Sequence, residues 1–492
     1  MKLNIYCLIM KIIIFNCIVY VDASEYKIWG PGLKPEIVMP ARYFFIESIP
    51  NCDTNLLELI DLDIKIEGSK IDSNKPCRIW TNILNRNDGS YIVRYKLYEP
   101  CINVKIDIKV RGENIKGFPL TFKYIMFSED CNCNIHNVSS FINNWECGET
   151  QTQIKEDLHL FKGIDFGKIR KRIVSTYDNP GAVSLCNYVI KNNLIYRKCY
   201  GQHVGFKMFM DNILLSLTRK VLLPDFEMFV NLGDWPLVKD TNEIFPIFSW
   251  CGSKDSFDIV MPTYDITEST LESMGRVMLD MLSVQGNVRD KWENRHPKIF
   301  WRGRDSSRER LKLIEISRQY PDLFNVSLTN FFFFRNEMEK YGPTSKHVSF
   351  YDFFDYKYQI NLDGTVAAYR FPYLLAGGSL VFKQDSKYYE FFYNNLKSNM
   401  HYIPIKQDLS DLIEKIKWAV ENDEEAKTIG MHGRDFANDN LLPKNIFCYH
   451  VQLFNEYSKK VTSTVEIVEG MEMVKSSRRE KCNCNYNMKD EL

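Results

Sequence analysis

The chain has no net charge: Lys and Arg number 63, and so do Asp and Glu. A nucleic-acid binder normally carries a basic face, so that class is disfavoured. There is also no run able to span a bilayer. The apolar stretch 9–21 is interrupted by Lys11 and Asn16 and falls short of the ~20 residues a spanning helix needs. The phosphate loop Gly-x4-Gly-Lys-Ser/Thr is missing. Zinc-site spacing is missing too. Cys131-Asn-Cys133 and Cys482-Asn-Cys484 are spaced by one residue rather than two to four, with no His cluster beside them. The only Asp-x-Asp is Asp61-Leu-Asp63, and no internal repeat is visible.

What is present begins at the two ends. Lys2, the apolar stretch and the small residues Ala23 and Ser24 predict a signal peptide over 1–24. Lys489-Asp490-Glu491-Leu492 is an ER-retrieval address read by the KDEL receptor. Together they predict a protein of the ER lumen with no transmembrane segment, acting on other secretory proteins. Of 14 cysteines, Cys7 and Cys17 go with the leader. The rest can pair in an oxidising lumen, with connectivity left open. Asn137-Val-Ser139 and Asn325-Val-Ser327 predict glycan acceptors at Asn137 and Asn325 on exposed loops.

Three regions follow from patterning. Over 25–128, Asp63 to Ile66 and Val104 to Val110 alternate with the period of half-buried strands, and Asn87-Asp88-Gly89 marks a tight turn. This predicts a β-sandwich. Residues 129–150 read as a cysteine-bearing linker. Over 151–462, short apolar strands such as Met228 to Leu232 alternate with amphipathic stretches such as Leu409 to Val420, which predicts parallel α/β sheets. The tail 463–492 reads as charged and extended.

Four segments could carry chemistry. Asn231-Leu-Gly-Asp-Trp-Pro236 places Asp234 just beyond a strand end, where open α/β sheets bind ligands. Asp234 is either a general base with a pKa raised by its apolar neighbours or a cap on the turn at Gly233. Ile299 to Arg310 runs from an apolar strand through Arg302, Gly303 and Arg304 into a helix near Arg308, with Arg310 beyond. That is a phosphate site or a solvated basic face. In Asp363-Gly364-Thr365-Val366-Ala367-Ala368-Tyr369-Arg370, small residues admit a ligand to the backbone or pack a tight turn, and Arg370 falls one turn into a helix. Phe248 to Tyr264 is aromatic and hydroxyl-rich, a groove lining or a surface loop.

The combination resembles a known family. Trp29-Gly-Pro-Gly-Leu33, Pro40 to Phe44, Asp88 to Tyr91 and Val104 to Pro119 are similar to a filamin-type immunoglobulin repeat. Asn-Leu-Gly-Asp-Trp-Pro, Trp-Arg-Gly-Arg-Asp-Ser, Asp-Gly-Thr-Val-Ala-Ala-Tyr-Arg, Gly377 to Phe382 and His401 to Pro404 resemble the protein O-glucosyltransferases, whose catalytic domain is of the capsule-associated-protein (CAP10) type. The filamin-like front and KDEL end resemble the second and third types. The resemblance implies a GT-B fold, two Rossmann-like subdomains around a cleft. It implies inverting transfer of glucose from UDP-glucose to serine in folded EGF-like repeats of Notch- and fibrillin-type proteins. It maps the catalytic aspartate onto Asp234, a phosphate-binding arginine onto Arg310 and the nucleotide-sugar loop onto Gly364 to Arg370. Two departures stand out. The loop reads Gly-x-x-Ala-Ala-x-Arg where the family has Gly-x-Ala-Ala-x-x-Arg, and Arg302-Gly-Arg304 replaces the Arg-Gly-Ser of the first type. With no Asp-x-Asp in the α/β region, arginines and a helix N-terminus are expected to hold the diphosphate without a metal cofactor. Transfer of xylose, or a noncatalytic chaperone role, are the alternatives.

Overall fold

The computed structural model describes residues 26–48, 61–133, 135–179, 181, 184–272, 280–476 and 482. The leader, Cys484 and the KDEL tetrapeptide lie outside these residues.

The front is the expected sandwich. One sheet orders Tyr26–Trp29, Arg42–Ser48, Ser90–Leu97 and Ile79–Asn85, all antiparallel. The other is built on Leu62–Lys70 against Cys101–Val110, in a register that pairs Ile64 with Ile108 and Ile66 with Ile106. Period-two alternation puts these isoleucines inside with Val104, Phe44 and Tyr95, while Lys65 and Asp63 stay outside. Asp61-Leu-Asp63 therefore leads into a sandwich strand, far in sequence from the α/β region. Cys77–Cys101 closes the sandwich. Gly32 is required by close approach, since a Cβ there would lie 2.7 Å from the Tyr43 carbonyl oxygen.

Arg42–Ser48 does not alternate, and it is buried on both faces. Phe44 and Ile46 point into the sandwich, whereas Tyr43 and Phe45 join Ile92 in the main core of the α/β region. The sandwich is thus packed onto the rest of the chain. The turn at Asn87–Gly89 forms as expected, with Asn87 and Gly89 at positive φ, and its tip docks. Asn87 donates to the Val288 carbonyl (2.7 Å), Arg86 donates to Gln285 (3.1 Å), and Asp88 pairs with Arg434 (2.6 Å).

The linker is more ordered than its sequence suggests. It holds a helix, Val138–Asn144, whose Phe141 and Trp145 stack in the main core. Cys147–Cys448 and Cys131–Cys482 staple it to the C-terminal part.

The expectation of parallel sheets holds for only one half of the α/β region. In the N-terminal half the order is Ile259–Val260, Ile247–Ser249, Phe226–Asn231, Leu185–Lys191, Leu194–Tyr200, Glu472–Met473. The first three strands are parallel and the last three antiparallel. The antiparallel part arises because Asn192 and Asn193, both at positive φ, make a two-residue hairpin turn that Cys186–Cys199 then clamps. The last strand comes from the tail, so the tail is extended but pinned to the sheet edge. The C-terminal half is wholly parallel, ordered Phe324–Asn330, His296–Arg304, Tyr356–Asn361, Leu380–Gln384, Ile403–Ile405. In chain order this is 2-1-3-4-5, and its topological switch point lies between His296–Arg304 and Tyr356–Asn361.

Candidate active site

The strand Phe226–Asn231 is fully buried and ends at the loop carrying Asp234. Asn231 shapes that loop. Its amide donates to the Trp235 carbonyl (2.7 Å) and to Ser249 Oγ (3.0 Å), and its Oδ1 accepts from Gly233 N–H (2.9 Å). The cap at Gly233 is therefore Asn231, not Asp234, which removes the structural alternative for Asp234. Asp258 braces the far side by accepting from Leu237 N–H, Val238 N–H and Ser249.

Asp234 is half-buried, and Tyr264 donates weakly to its Oδ1 at 3.4 Å. Burial pushes its carboxyl above the ordinary aspartate value, opposed by the Tyr264 hydrogen bond and the charge of Arg304. Its main-chain oxygen accepts from Cys251 Sγ and from Tyr369 OH, each at 3.4 Å. Tyr369 belongs to the other half of the α/β region, so the two halves meet at Asp234. Tyr264 and Tyr369 stand edge to face at 5.6 Å, and Trp235, 45% exposed, stands at the rim. The Phe248–Tyr264 segment is not a surface loop. Trp250 and Cys251 are buried, and Tyr264 lines the site.

Opposite lies the switch point of the parallel sheet. Its two central strands end at Arg302-Gly303-Arg304 and at Asn361, just before Asp363-Gly364. Arg310, in the first turn of the helix Arg308–Gln319, ties these ends together. Its Nε donates to the Asp363 carbonyl (2.8 Å), Nη1 to the Arg304 carbonyl (3.1 Å) and Ser306 Oγ (3.2 Å), and Nη2 to the Leu362 carbonyl (3.1 Å). Four of its five N–H groups are thus committed, and the residue is 6% exposed. Burial, with Arg370 nearby, pushes its pKa down to about 9. Arg310 fits a clamp on the two loops better than a free phosphate ligand. Gly364 sits against it, since a Cβ there would lie 3.3 Å from Nη2.

The rest of the expected loop divides by role. Val366, Ala367 and Ala368 are buried, and Val366 and Ala367 cluster with Cys251. Thr365 and Tyr369 are half-buried. Arg370 lies at the N-terminal boundary of the helix Phe371–Ala376, not one turn inside it, and one of its nitrogens donates to the Arg302 carbonyl (2.6 Å). Burial lowers its pKa to about 10, with Asp265 opposing. The Arg302 side chain does not serve the cleft. It donates to the carbonyls of Trp301 (2.9 Å) and Asn325 (2.8 Å) and to Asn325 Oδ1 (2.7 Å). Gly303 is held by packing, as a Cβ there would lie 2.4 Å from the Trp301 ring.

Arg304 has a place in the site that its membership of the basic segment did not single out from Arg302 and Arg310. It is exposed, its side chain makes no hydrogen bond among the described residues, and its charge acts on Asp234, Arg310 and Arg370. A register shift between Gly303 and Arg304 breaks the alternation with Arg302 and re-aims the chain there.

The two sequons differ. Asn137 is exposed and uses only Oδ1, to cap the helix that follows it. Asn325 is not on a loop. It lies within the edge strand Phe324–Asn330, half-buried, with its amide donating to Tyr356 OH (2.6 Å) and its Oδ1 accepting from Arg302.

Residues 142–491 match glycosyl transferase family 90, and 20–121 match the Filamin/ABP280 repeat. The chain belongs to glycosyl transferase family 90. The family-90 match begins within the helix Val138–Asn144 and takes in both halves around Asp234. Protein O-glucosyltransferase 2 of Danio rerio is 46% identical over 96% of this chain and 95% of its own length. Protein O-glucosyltransferase 3 of Homo sapiens is 42% identical over 96% and 94%. Protein O-glucosyltransferase 1 of Homo sapiens is 29% identical over 72% of this chain and 90% of its own.

Proposed function

We propose that this protein transfers glucose from UDP-glucose to a serine of a folded EGF-like repeat, with inversion, in the ER lumen. One observation carries the reading. A half-buried carboxylate with no ion-pair partner among the described residues, Asp234, stands where the two halves meet, across from arginines at the switch point of a parallel sheet. This is the division of labour a GT-B transferase needs, and relatives that bear the name protein O-glucosyltransferase match along nearly the whole chain.

The chemistry follows from the charges. The serine hydroxyl attacks the anomeric carbon from the face opposite UDP, and Asp234 takes its proton. Burial favours that transfer by making the protonated carboxyl less costly. UDP leaves with added negative charge, which Arg304 and Arg370 would stabilise in a cleft where fixed charges act more strongly than in water. Arg310 holds the loops that present them. With those cations in place the mechanism uses no metal. Notch- and fibrillin-type proteins are the proposed clients, and the KDEL receptor the proposed retention partner.

The test is mass spectrometry of a folded EGF-like repeat after incubation with a panel of UDP-sugars. A hexose on serine from UDP-glucose supports the reading. A pentose from UDP-xylose alone identifies a xylosyltransferase on the same scaffold, and no product from any donor returns the chain to a noncatalytic role.

A further inference from the structure

A cavity of about 420 Å³ lies away from Asp234, between the tip of the sandwich hairpin and the C-terminal half. Arg86, Asp88 and Gly89 line it from the hairpin, and Arg295, Gly378 and Arg434 from the other side. Five cationic side chains and three carboxylates line it in all, leaving an excess of two positive charges. Most of the cations are answered. Arg86 pairs with Glu47 (3.1 Å), Arg434 with Asp88 (2.6 Å) and Lys427 with Glu293 (2.5 Å).

Arg295 is the exception. It is 9% exposed, yet no carboxylate lies within ion-pair distance of it among the described residues. Its Nε donates to the Asp290 carbonyl (3.0 Å) and Nη1 to Ser379 Oγ (3.2 Å), while Nη2 makes no hydrogen bond among the described residues. Arg434 is also incomplete, because among the described residues its buried Nε has no partner and its Nη2 none either. Burial lowers the Arg295 pKa to about 10, the like charge of Arg434 adds to that cost, and the more distant carboxylates of Asp290, Glu293 and Asp355 offset part of it. A buried, unpaired cation is unfavourable unless an anion joins it. Paired guanidiniums with idle N–H groups suit the oxygens of a phosphate or sulfate. The volume exceeds that of a bare oxyanion and lies in the range of small-molecule sites.

We infer that this cavity binds a small phosphate or sulfate ester, whose anionic group bridges Arg295 and Arg434. Such a ligand would bind where the sandwich hairpin meets the C-terminal half, and would stabilise that contact by mass action. The site is separate from the donor cleft and independent of its assignment.

The experiment is calorimetric titration of the full-length mature protein with glucose 6-phosphate, inorganic phosphate, inorganic sulfate and glucuronic acid. Excess UDP is present throughout to occupy the donor cleft. Glucose 6-phosphate should bind the wild type at least ~10-fold more tightly than it binds Arg295→Gln or Arg434→Gln. Both variants should keep the wild-type circular dichroism spectrum and a cooperative melting transition, which shows that they fold. Absence of binding to the wild type, or unchanged affinity in both variants, would overturn the site. Inorganic phosphate binding as tightly as the ester would overturn the ester assignment, and glucuronic acid binding as tightly would overturn the choice of phosphate or sulfate.

Discussion

Separate replacement of Arg310, Arg370 and Arg304 should divide stability from donor binding. Arg310→Ala strands two main-chain carbonyls, those of Arg304 and Leu362, in a buried setting, and leaves the Asp363 carbonyl with Ser307 Oγ (3.2 Å) as its donor. Each unsatisfied group costs ~1–3 kcal/mol, and water entering the space recovers part of it, so a net loss of ~2–4 kcal/mol is expected. That is a large fraction of a typical ~5–15 kcal/mol of stability. At ~2–4 °C per kcal/mol, the melting temperature should fall by roughly 10 °C. Arg304→Ala removes an exposed side chain with no hydrogen bonds, so stability should stay within ~0.5 kcal/mol. Its UDP affinity should nevertheless fall by ~1.5–3 kcal/mol, the worth of a charge-assisted contact. Arg370→Ala loses one internal bond and should show a smaller melting shift with a comparable loss of affinity. Scanning calorimetry and UDP titration read both quantities on each variant. An Arg310→Ala protein melting within ~2 °C of wild type would refute the clamp. Wild-type UDP affinity in both Arg304→Ala and Arg370→Ala would move the nucleotide elsewhere.

Three further outcomes are expected. Because burial raises the Asp234 pKa, its proton is held at higher pH than on an ordinary aspartate, and the base is lost as pH falls. The acid limb of kcat/KM should therefore lie above pH 3.8, and Tyr264→Phe, which removes a bond favouring the carboxylate, should move it higher still; a limb unmoved in that variant would count against the assignment. Glucose transfer should survive EDTA treatment and desalting, and activity lost and restored only by Mn²⁺ or Mg²⁺ would sink the metal-free mechanism. Deleting Lys489 to Leu492 should send active protein into the culture medium, and retention at wild-type level would show another cause.

Much of the architecture was legible, because the relevant signals are local. Alternation in Val104 to Val110 marks a two-faced strand, Asn87-Asp88-Gly89 marks a hairpin, and Asp234 follows directly on a buried strand. Other features depended on partners distant in sequence. The apolar run Tyr43-Phe44-Phe45-Ile46 has the pattern of a strand buried on both faces, a signal that was overlooked, and nothing in it says that its second face meets the α/β core. Asn192-Asn193 was an available hairpin signal for the antiparallel half and was overlooked. The arginines were hardest. Arg302, Arg304 and Arg310 look alike in sequence, but Asn325 captures the first, a register shift redirects the second, and three carbonyls bury the third. Asn325 fails as a loop acceptor for the same reason, since the sequon says nothing of the strand around it.

The most direct test of the account is Asp234→Asn, assayed for glucose transfer to a folded EGF-like repeat and for UDP binding in the same preparation. The amide keeps the shape of the side chain and its contact with Tyr264 but cannot take up the serine proton. Transfer should fall by ~10²–10⁴-fold, the usual contribution of a general base, while UDP affinity stays at the wild-type value. Transfer at near the wild-type rate by the purified, UDP-binding variant would contradict Asp234 as the base, and with it the mechanism built around the meeting of the two halves.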